Sequence, residues 1–177
     1  PFGQSVLFER RQRILGAGLE GRYFSDAGSG SIWSAEVGDK VKNSYLLTQV
    51  TSNLRNVFLE VDKIVPVEIL SSTIRTQEQQ ADFLARGVSK TKDSKHLIIP
   101  GVREFSEAVD AGPSPMIWPK EGSPDYWKDW ARLYYFAGIV MSTAYRMGIR
   151  LRFGGDWNGN FDLKDQNFYD GVHFEEI

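Results

Sequence analysis

The strongest constraint on the fold is a helical period of apolar residues between Ser44 and Val65. Its apolar positions are spaced three or four residues apart: Leu46, Leu47, Val50, Leu54, Val57, Phe58, Val61 and Ile64. This spacing is typical of an amphipathic helix, which Pro66 would end. A second helix is predicted over Asp125–Met147, with Gly148 as its stop signal. Each helix has an apolar face that must be buried against another element.

Four segments between and after these helices have the alternation of strands. They are residues 67–72, 107–113, 149–155 and 171–177. A shorter helix is predicted from the N-cap Thr76, with Gln79 at the capping-box position and Gly87 as its stop. Residues 88–106 lack a clear period and are expected to form a long loop. Because the order lacks a regular strand–helix–strand rhythm, the sequence predicts an α+β fold with a small antiparallel sheet packed with helices.

Composition excludes several classes of protein. The net charge of −2 gives no basic field for nucleic acid, and no apolar run approaches the roughly 18 residues that a membrane span needs. We therefore expect no nucleic-acid partner and no membrane insertion. The protein is also expected to be a monomer. The first 43 residues are rich in Gly and Ser and show no signal-peptide pattern. We interpret 1–43 as an N-terminal appendage of unknown role and 44–177 as the main domain.

The chemistry of the chain is restricted by its two histidines and by the absence of cysteine. A Ser-His-Asp triad has little support because there is no G-x-S-x-G motif. A metal site formed by His96, Asp110 and His173 is more economical, since three such ligands suit a catalytic zinc ion. On a strand His173 would share one face with Glu175, and Asp170 lies close enough in sequence to act as a general base.

Several motifs occur in an order that resembles a known family. The runs "IRTQEQQADFLARGVSKTKDSKHL", "AVDAGP", "IRLRFGGDWNGNFD" and "DGVHFEE" are similar to the zinc D-Ala-D-Ala carboxypeptidase and L-Ala-D-Glu peptidase superfamily, which has a hedgehog-like fold. Phage endolysins of the L-alanyl-D-glutamate peptidase type give the best match. The resemblance spans about residues 44–177.

The resemblance implies roles for individual residues. It implies that His96 in "SKH", Asp110 in "AVD" and His173 in "DGVH" bind one zinc ion, and that Asp170 is the catalytic acid–base residue. It also implies that Arg75 binds substrate and stabilises the developing oxyanion. One departure concerns spacing: thirteen residues separate His96 from Asp110, where the family usually has about six.

Other polar and aromatic residues are weaker candidates. Ser89 and Ser94 could orient the ligands through hydrogen bonds, and Trp157 could lie near the substrate. Asp156, Asn158, Asn160 and Asp162 alternate as in the opening of a calcium loop. Calcium is not expected, because Phe161 stands where such a loop needs glycine and Asn167 where it needs glutamate.

The resulting hypothesis is a peptidoglycan peptidase, an endolysin that cuts the L-Ala-D-Glu bond of the stem peptide. It would accumulate in the host cytoplasm and reach the cell wall past a separate pore-former. A D-Ala-D-Ala carboxypeptidase or dipeptidase with the same metal chemistry is the alternative enzyme. A catalytically silent wall-binding or phage structural module, in which the longer 97–109 loop blocks the cleft, is the alternative of another class.

Overall fold

A computed structural model describes residues 41–177 of the chain, and the predicted appendage falls outside the described residues except for 41–43. Within the described range the α-helices are α1 (Ser52–Asp62), α2 (Gln77–Ala85) and α3 (Tyr126–Arg146). The strands are β1 (Val67–Ile69), β2 (Ala108–Pro113), β3 (Leu151–Phe153) and β4 (His173–Glu176). They form one antiparallel sheet in the order β1-β2-β4-β3. The α+β prediction is confirmed.

The predicted helix over Ser44–Val65 was wrong at its N-terminal end. Ser44–Gln49 is a 3₁₀ helix, and Val50 is extended with φ −106° and ψ 166°. The α-helix starts after Thr51, whose hydroxyl accepts a hydrogen bond from the Leu54 amide at 3.5 Å. Both pieces contribute apolar residues to the core, among them Leu46 and Leu47 from the first and Leu54 and Val57 from the second. The apolar spacing therefore continues across the break and does not reveal it.

The other predicted elements are confirmed with shorter bounds. The strand segments extend over fewer residues than the alternation suggested, because their ends turn away from the sheet. Thr76 and Gln79 make both hydrogen bonds of the predicted capping box at the start of α2.

The two long helices cover one face of the sheet. Phe174 on β4 is fully buried at the centre of this layer, with ring centroids of Phe58, Phe136 and Phe153 at 5.7, 6.1 and 5.3 Å. Because side chains alternate along a strand, the neighbours of Phe174 on β4 project from the opposite face. That face holds His173 and Glu175 and, on β2, Asp110. No helix within residues 41–177 is long and apolar enough to cross a membrane.

Candidate metal centre

The three predicted ligands lie together on the face of the sheet opposite the helices. His96 Nε2 lies 3.0 Å from His173 Nδ1, and these two nitrogens lie 3.1 and 3.3 Å from Asp110 Oδ1. All three residues are buried, and their ligand atoms lie within 4.8 Å of one another. This group could hold a metal ion. Which metal binds and what each residue does remain predictions.

Strand pairing accounts for two of the three positions. Asp110 on β2 is directly opposite His173 on β4, and directly opposed side chains on one face of a sheet touch. His96 comes from the loop that follows α2. Its main chain is fixed because its carbonyl accepts from the Arg75 amide at 3.1 Å and its amide donates to Ser94 Oγ at 3.3 Å.

The outer atoms of the two imidazoles are bound to other protein groups. His96 Nδ1 lies 2.9 Å from the Thr73 carbonyl oxygen, which can only accept a hydrogen bond. His173 Nε2 lies 3.0 Å from Glu175 Oε2. Each imidazole therefore has a hydrogen-bond acceptor at its outer nitrogen. Its inner nitrogen, which faces the other two predicted ligands, remains available to bind a cation. This arrangement fits a metal ligated by His96 Nε2 and His173 Nδ1.

Arg75 holds the outer oxygen of the third ligand. Its Nη2 lies 3.3 Å from Asp110 Oδ2, while its Nε donates to the Ser72 carbonyl at 3.0 Å. Its Nη1 donates to Gln80 Oε1 at 3.3 Å, and buried Gln80 donates in turn to Ser89 Oγ at 2.7 Å. The predicted substrate-binding arginine thus contacts a predicted metal ligand directly, and its role toward substrate stays a prediction.

The charges around the group favour a cation. Burial alone would raise the pKa of Asp110, but the adjacent His96 and His173 outweigh it and hold that pKa well below its ordinary value. Burial would lower the pKa of His173, but its hydrogen bonds to Asp110 and Glu175, together with the negative charges of Asp110 and Asp170, raise that pKa to about 9. The carboxylates that stabilise a protonated imidazole here would also stabilise a divalent cation.

Asp170 lies at the end of the loop that leads into β4. Its carbonyl accepts from the His173 amide at 3.2 Å, and its own amide donates to the Gly154 carbonyl at 2.9 Å. A Cβ atom at Gly154 would lie 2.6 Å from the Asp170 carbonyl oxygen and 2.9 Å from His173 Cβ. The pKa of the Asp170 carboxyl is raised, first by burial and then by the negative charge of Asp110. A raised pKa suits a general base that works near neutral pH.

The weaker candidates lie around this centre without supplying a ligand atom. Ser94 Oγ contacts the main chain of His96, and Ser89 is linked to Asp110 only through Gln80 and Arg75. Trp157 packs its ring on the imidazole of His173, with centroids 5.1 Å apart. Their roles stay predictions.

The Asp/Asn-rich segment after β3 binds its own backbone. Asp156 Oδ1 and Oδ2 accept from the amides of Gly159 and Phe161, and Asn160 Oδ1 accepts from Asp162. Asp165 accepts from the side-chain amides of Asn158 and Asn160. The bond from the Asp162 amide to Asn160, two residues apart, is that of an Asx turn, and the other bonds likewise join groups of this one segment.

The longer 97–109 loop is held by hydrogen bonds to its own turn and to neighbouring main chain. Ile99 and Arg103 pair through both amides at 2.8 and 2.7 Å, and the Ile98 amide donates to Arg75. The Ser106 amide donates to Gln49 at 2.9 Å. The extra length thus forms a turn of its own and rejoins the sheet at β2.

Four residues that support the site were not among the predicted ones. They are Glu175, Thr73, Gln80 and Gly154. Glu175 had a sequence signal, since it lies two residues from His173 on the same strand face. Thr73 acts through a main-chain carbonyl, and the roles of Gln80 and Gly154 depend on tertiary contacts, so none of the three had a local signal.

Fold and site together define a candidate metallopeptidase: an α+β domain with a buried His-Asp-His group on its antiparallel sheet. The sequence model of the phage L-alanyl-D-glutamate peptidase family matches residues 39–177, and the chain belongs to this family. The L-alanyl-D-glutamate peptidase of Escherichia phage T5 is 30% identical over 138 residues, which cover 74% of this chain and 91% of that relative. The crystal structure of the L-Ala D-Glu endopeptidase ChiX from Serratia marcescens has the same fold, with a TM-score of 0.54 and 23% identity. That match covers 77% of this chain and 86% of the other.

Proposed function

We propose that this protein is a zinc-dependent endolysin that hydrolyses the L-Ala-D-Glu bond of the peptidoglycan stem peptide. Its membership of the phage L-alanyl-D-glutamate peptidase family supports the substrate class. The observation that supports metal chemistry most directly is the convergence of three buried ligand atoms, each on a side chain whose other polar atom is bound to protein. The protein would act on the wall as a monomer, after release from the host cytoplasm.

The residues that would hold zinc are His96, Asp110 and His173. Two imidazole nitrogens and one carboxylate oxygen are a donor set typical of catalytic zinc, whereas calcium and magnesium prefer sites made of oxygen ligands. When bound, zinc supplies Lewis-acid polarisation of the scissile carbonyl and lowers the pKa of water.

Asp170 would move the proton during hydrolysis. Its carboxylate would accept a proton from the attacking water and deliver it to the nitrogen of the leaving D-Glu residue. Two features of the site favour this role. The raised pKa makes the carboxylate a stronger base than an exposed aspartate, and the backbone hydrogen bonds to Gly154 and His173 fix its position.

Arg75 would stabilise negative charge on the substrate. Its guanidinium is mostly buried, with 12% of the side chain exposed, and is held by Asp110, Gln80 and the Ser72 carbonyl. A guanidinium that is fixed before the reaction stabilises a developing oxyanion without a reorganisation cost. Trp157, packed against His173, would form part of the wall of the substrate cleft.

Metal removal and readdition test this function. The purified protein is treated with a chelator and then reconstituted with zinc, and the clearing of a suspension of purified cell walls is followed by turbidity. We expect clearing to stop after chelation and to return with one zinc ion per chain. A protein that binds walls but never clears them, with zinc bound, would support the silent module instead.

A further inference from the structure

We propose that Glu175, held by Arg152, is a positioning residue that makes His173 bind the metal through Nδ1. The inference rests on the proposed function in one respect, namely that a metal ion occupies the group formed by His96, Asp110 and His173. It adds two residues, Glu175 and Arg152, that supply no ligand atom themselves and were not predicted as site residues from the motifs.

Both oxygens of the Glu175 carboxylate are bound to protein. Oε2 lies 3.0 Å from His173 Nε2, and Oε1 accepts from Arg152 Nε at 2.8 Å and also from Arg152 Nη2. Strand register accounts for the geometry, because Arg152 on β3 is directly opposite Glu175 on β4. Glu175 is 5% exposed and His173 is buried, so water does not compete strongly for the hydrogen bond between them.

The acceptor behind the ring decides which nitrogen can bind a cation. A neutral imidazole has one N–H group, and a carboxylate at Nε2 stabilises the form in which that proton is on Nε2. The lone pair is then on Nδ1, the nitrogen that lies 3.0 Å from His96 Nε2 and 3.3 Å from Asp110 Oδ1. A carboxylate in this position also makes the imidazole a more basic ligand.

Arg152 restrains the ring from a second side. Its guanidinium lies 5.6 Å from the ring centroid of Trp157, and Trp157 packs on the His173 imidazole at 5.1 Å. One arginine therefore fixes both the acceptor of the Nε2 proton and the aromatic ring that covers the imidazole. Loss of Arg152 should loosen both contacts while leaving the Glu175 acceptor in place.

A purely structural role of the same ion pair makes a different prediction. If Glu175 did no more than link β3 to β4 through Arg152, its removal would lower stability without changing metal affinity. Comparing Glu175→Ala with Glu175→Gln separates the two roles, because both variants lose the charge that pairs with Arg152 but only the glutamine can still accept a hydrogen bond from His173.

The test measures zinc affinity of the full chain by competition with a chromophoric chelator. We expect Glu175→Ala to weaken zinc binding by about 10- to 100-fold, with Glu175→Gln and Arg152→Ala affected less. Glu176→Gln is the matched control, since it makes the same change on the next residue of β4, whose carboxylate accepts from Thr51 instead. Its zinc affinity should be unchanged.

A second readout reports the imidazole directly and does not depend on activity. In the zinc-loaded wild-type protein, nuclear magnetic resonance should detect a slowly exchanging Nε2–H proton on His173, and Glu175→Ala should abolish that signal. Unchanged zinc affinity in Glu175→Ala, or a wild-type His173 protonated on Nδ1, would overturn the inference. If Glu175→Ala does not fold, the wild-type spectrum decides, and the absence of an Nε2–H signal on zinc-bound His173 would overturn the inference. Failure of the wild-type protein to bind zinc would instead contradict the proposed function itself.

Discussion

Asp170→Asn is the substitution that most sharply separates proton transfer from metal binding. The amide has nearly the shape of the carboxylate, so the backbone hydrogen bonds to Gly154 and His173 should persist. It cannot accept the proton of the attacking water. General acid–base groups contribute about 10²- to 10⁴-fold to rate, which is about 2.7–5.5 kcal/mol of activation free energy.

The environment of Asp170 places the expected loss in the upper part of this range. Burial and the charge of Asp110 raise the pKa of the carboxyl, and a more basic carboxylate contributes more to proton transfer. The same environment destabilises the ionised side chain in the folded protein, so removing its charge should not lower the melting temperature. We therefore expect a loss of rate of about 10³- to 10⁴-fold in a fully folded protein.

The assay is the initial rate of wall clearing at saturating zinc, with zinc content measured on the same sample. Asp93→Asn is the control, since it makes the same change on an aspartate whose side chain is 79% exposed and pairs with Arg103. It should retain wild-type activity. If Asp170→Asn holds one zinc ion per chain and clears walls at the wild-type rate, Asp170 is not the acid–base residue.

Three further predictions concern the metal, the tight packing beside it and the core. Zinc affinity should rise by about tenfold per pH unit between about pH 6 and 8, because His173, with a pKa of about 9, must lose its proton to bind; a flat profile would contradict this. Gly154→Ala should displace Asp170 and His173 and reduce both zinc affinity and activity, with about 1–3 kcal/mol lost in stability. Gly138→Ala, where a Cβ has open space, is its control, and equal behaviour of the two variants would refute the packing argument. Phe174→Ala should lower the free energy of unfolding by about 3–5 kcal/mol in urea titrations, and a loss below about 1 kcal/mol would show that the site face does not depend on this core.

The parts of the fold that the sequence predicted are those with strong local signals. The α3 helix has a long apolar period between a proline-rich stretch and Gly148, and the structure places it at Tyr126–Arg146. The capping box at Thr76 predicted the start of α2 because both of its hydrogen bonds are local. The break at Val50 was missed because burial on both sides of it preserves the helical spacing.

The residues of the site also divide into those with a sequence signal and those without one. His96, Asp110 and His173 could be predicted because their motifs occur in the order of a known family and no other histidine competes. The strand order β1-β2-β4-β3, which sets Asp110 opposite His173, depends on long-range pairing and has no local signal. The acceptor at Thr73 could not be predicted either, because it is a main-chain carbonyl, which every residue type has.

The most direct test of the central claim is the identity of the bond that is cut. Purified peptidoglycan is digested with the zinc-loaded protein, and the new amino termini are labelled and identified, with a chelator-treated sample in parallel. The account predicts a new amino terminus on D-Glu that appears only with zinc. Release of D-Ala without a new D-Glu terminus would contradict it and favour the carboxypeptidase alternative.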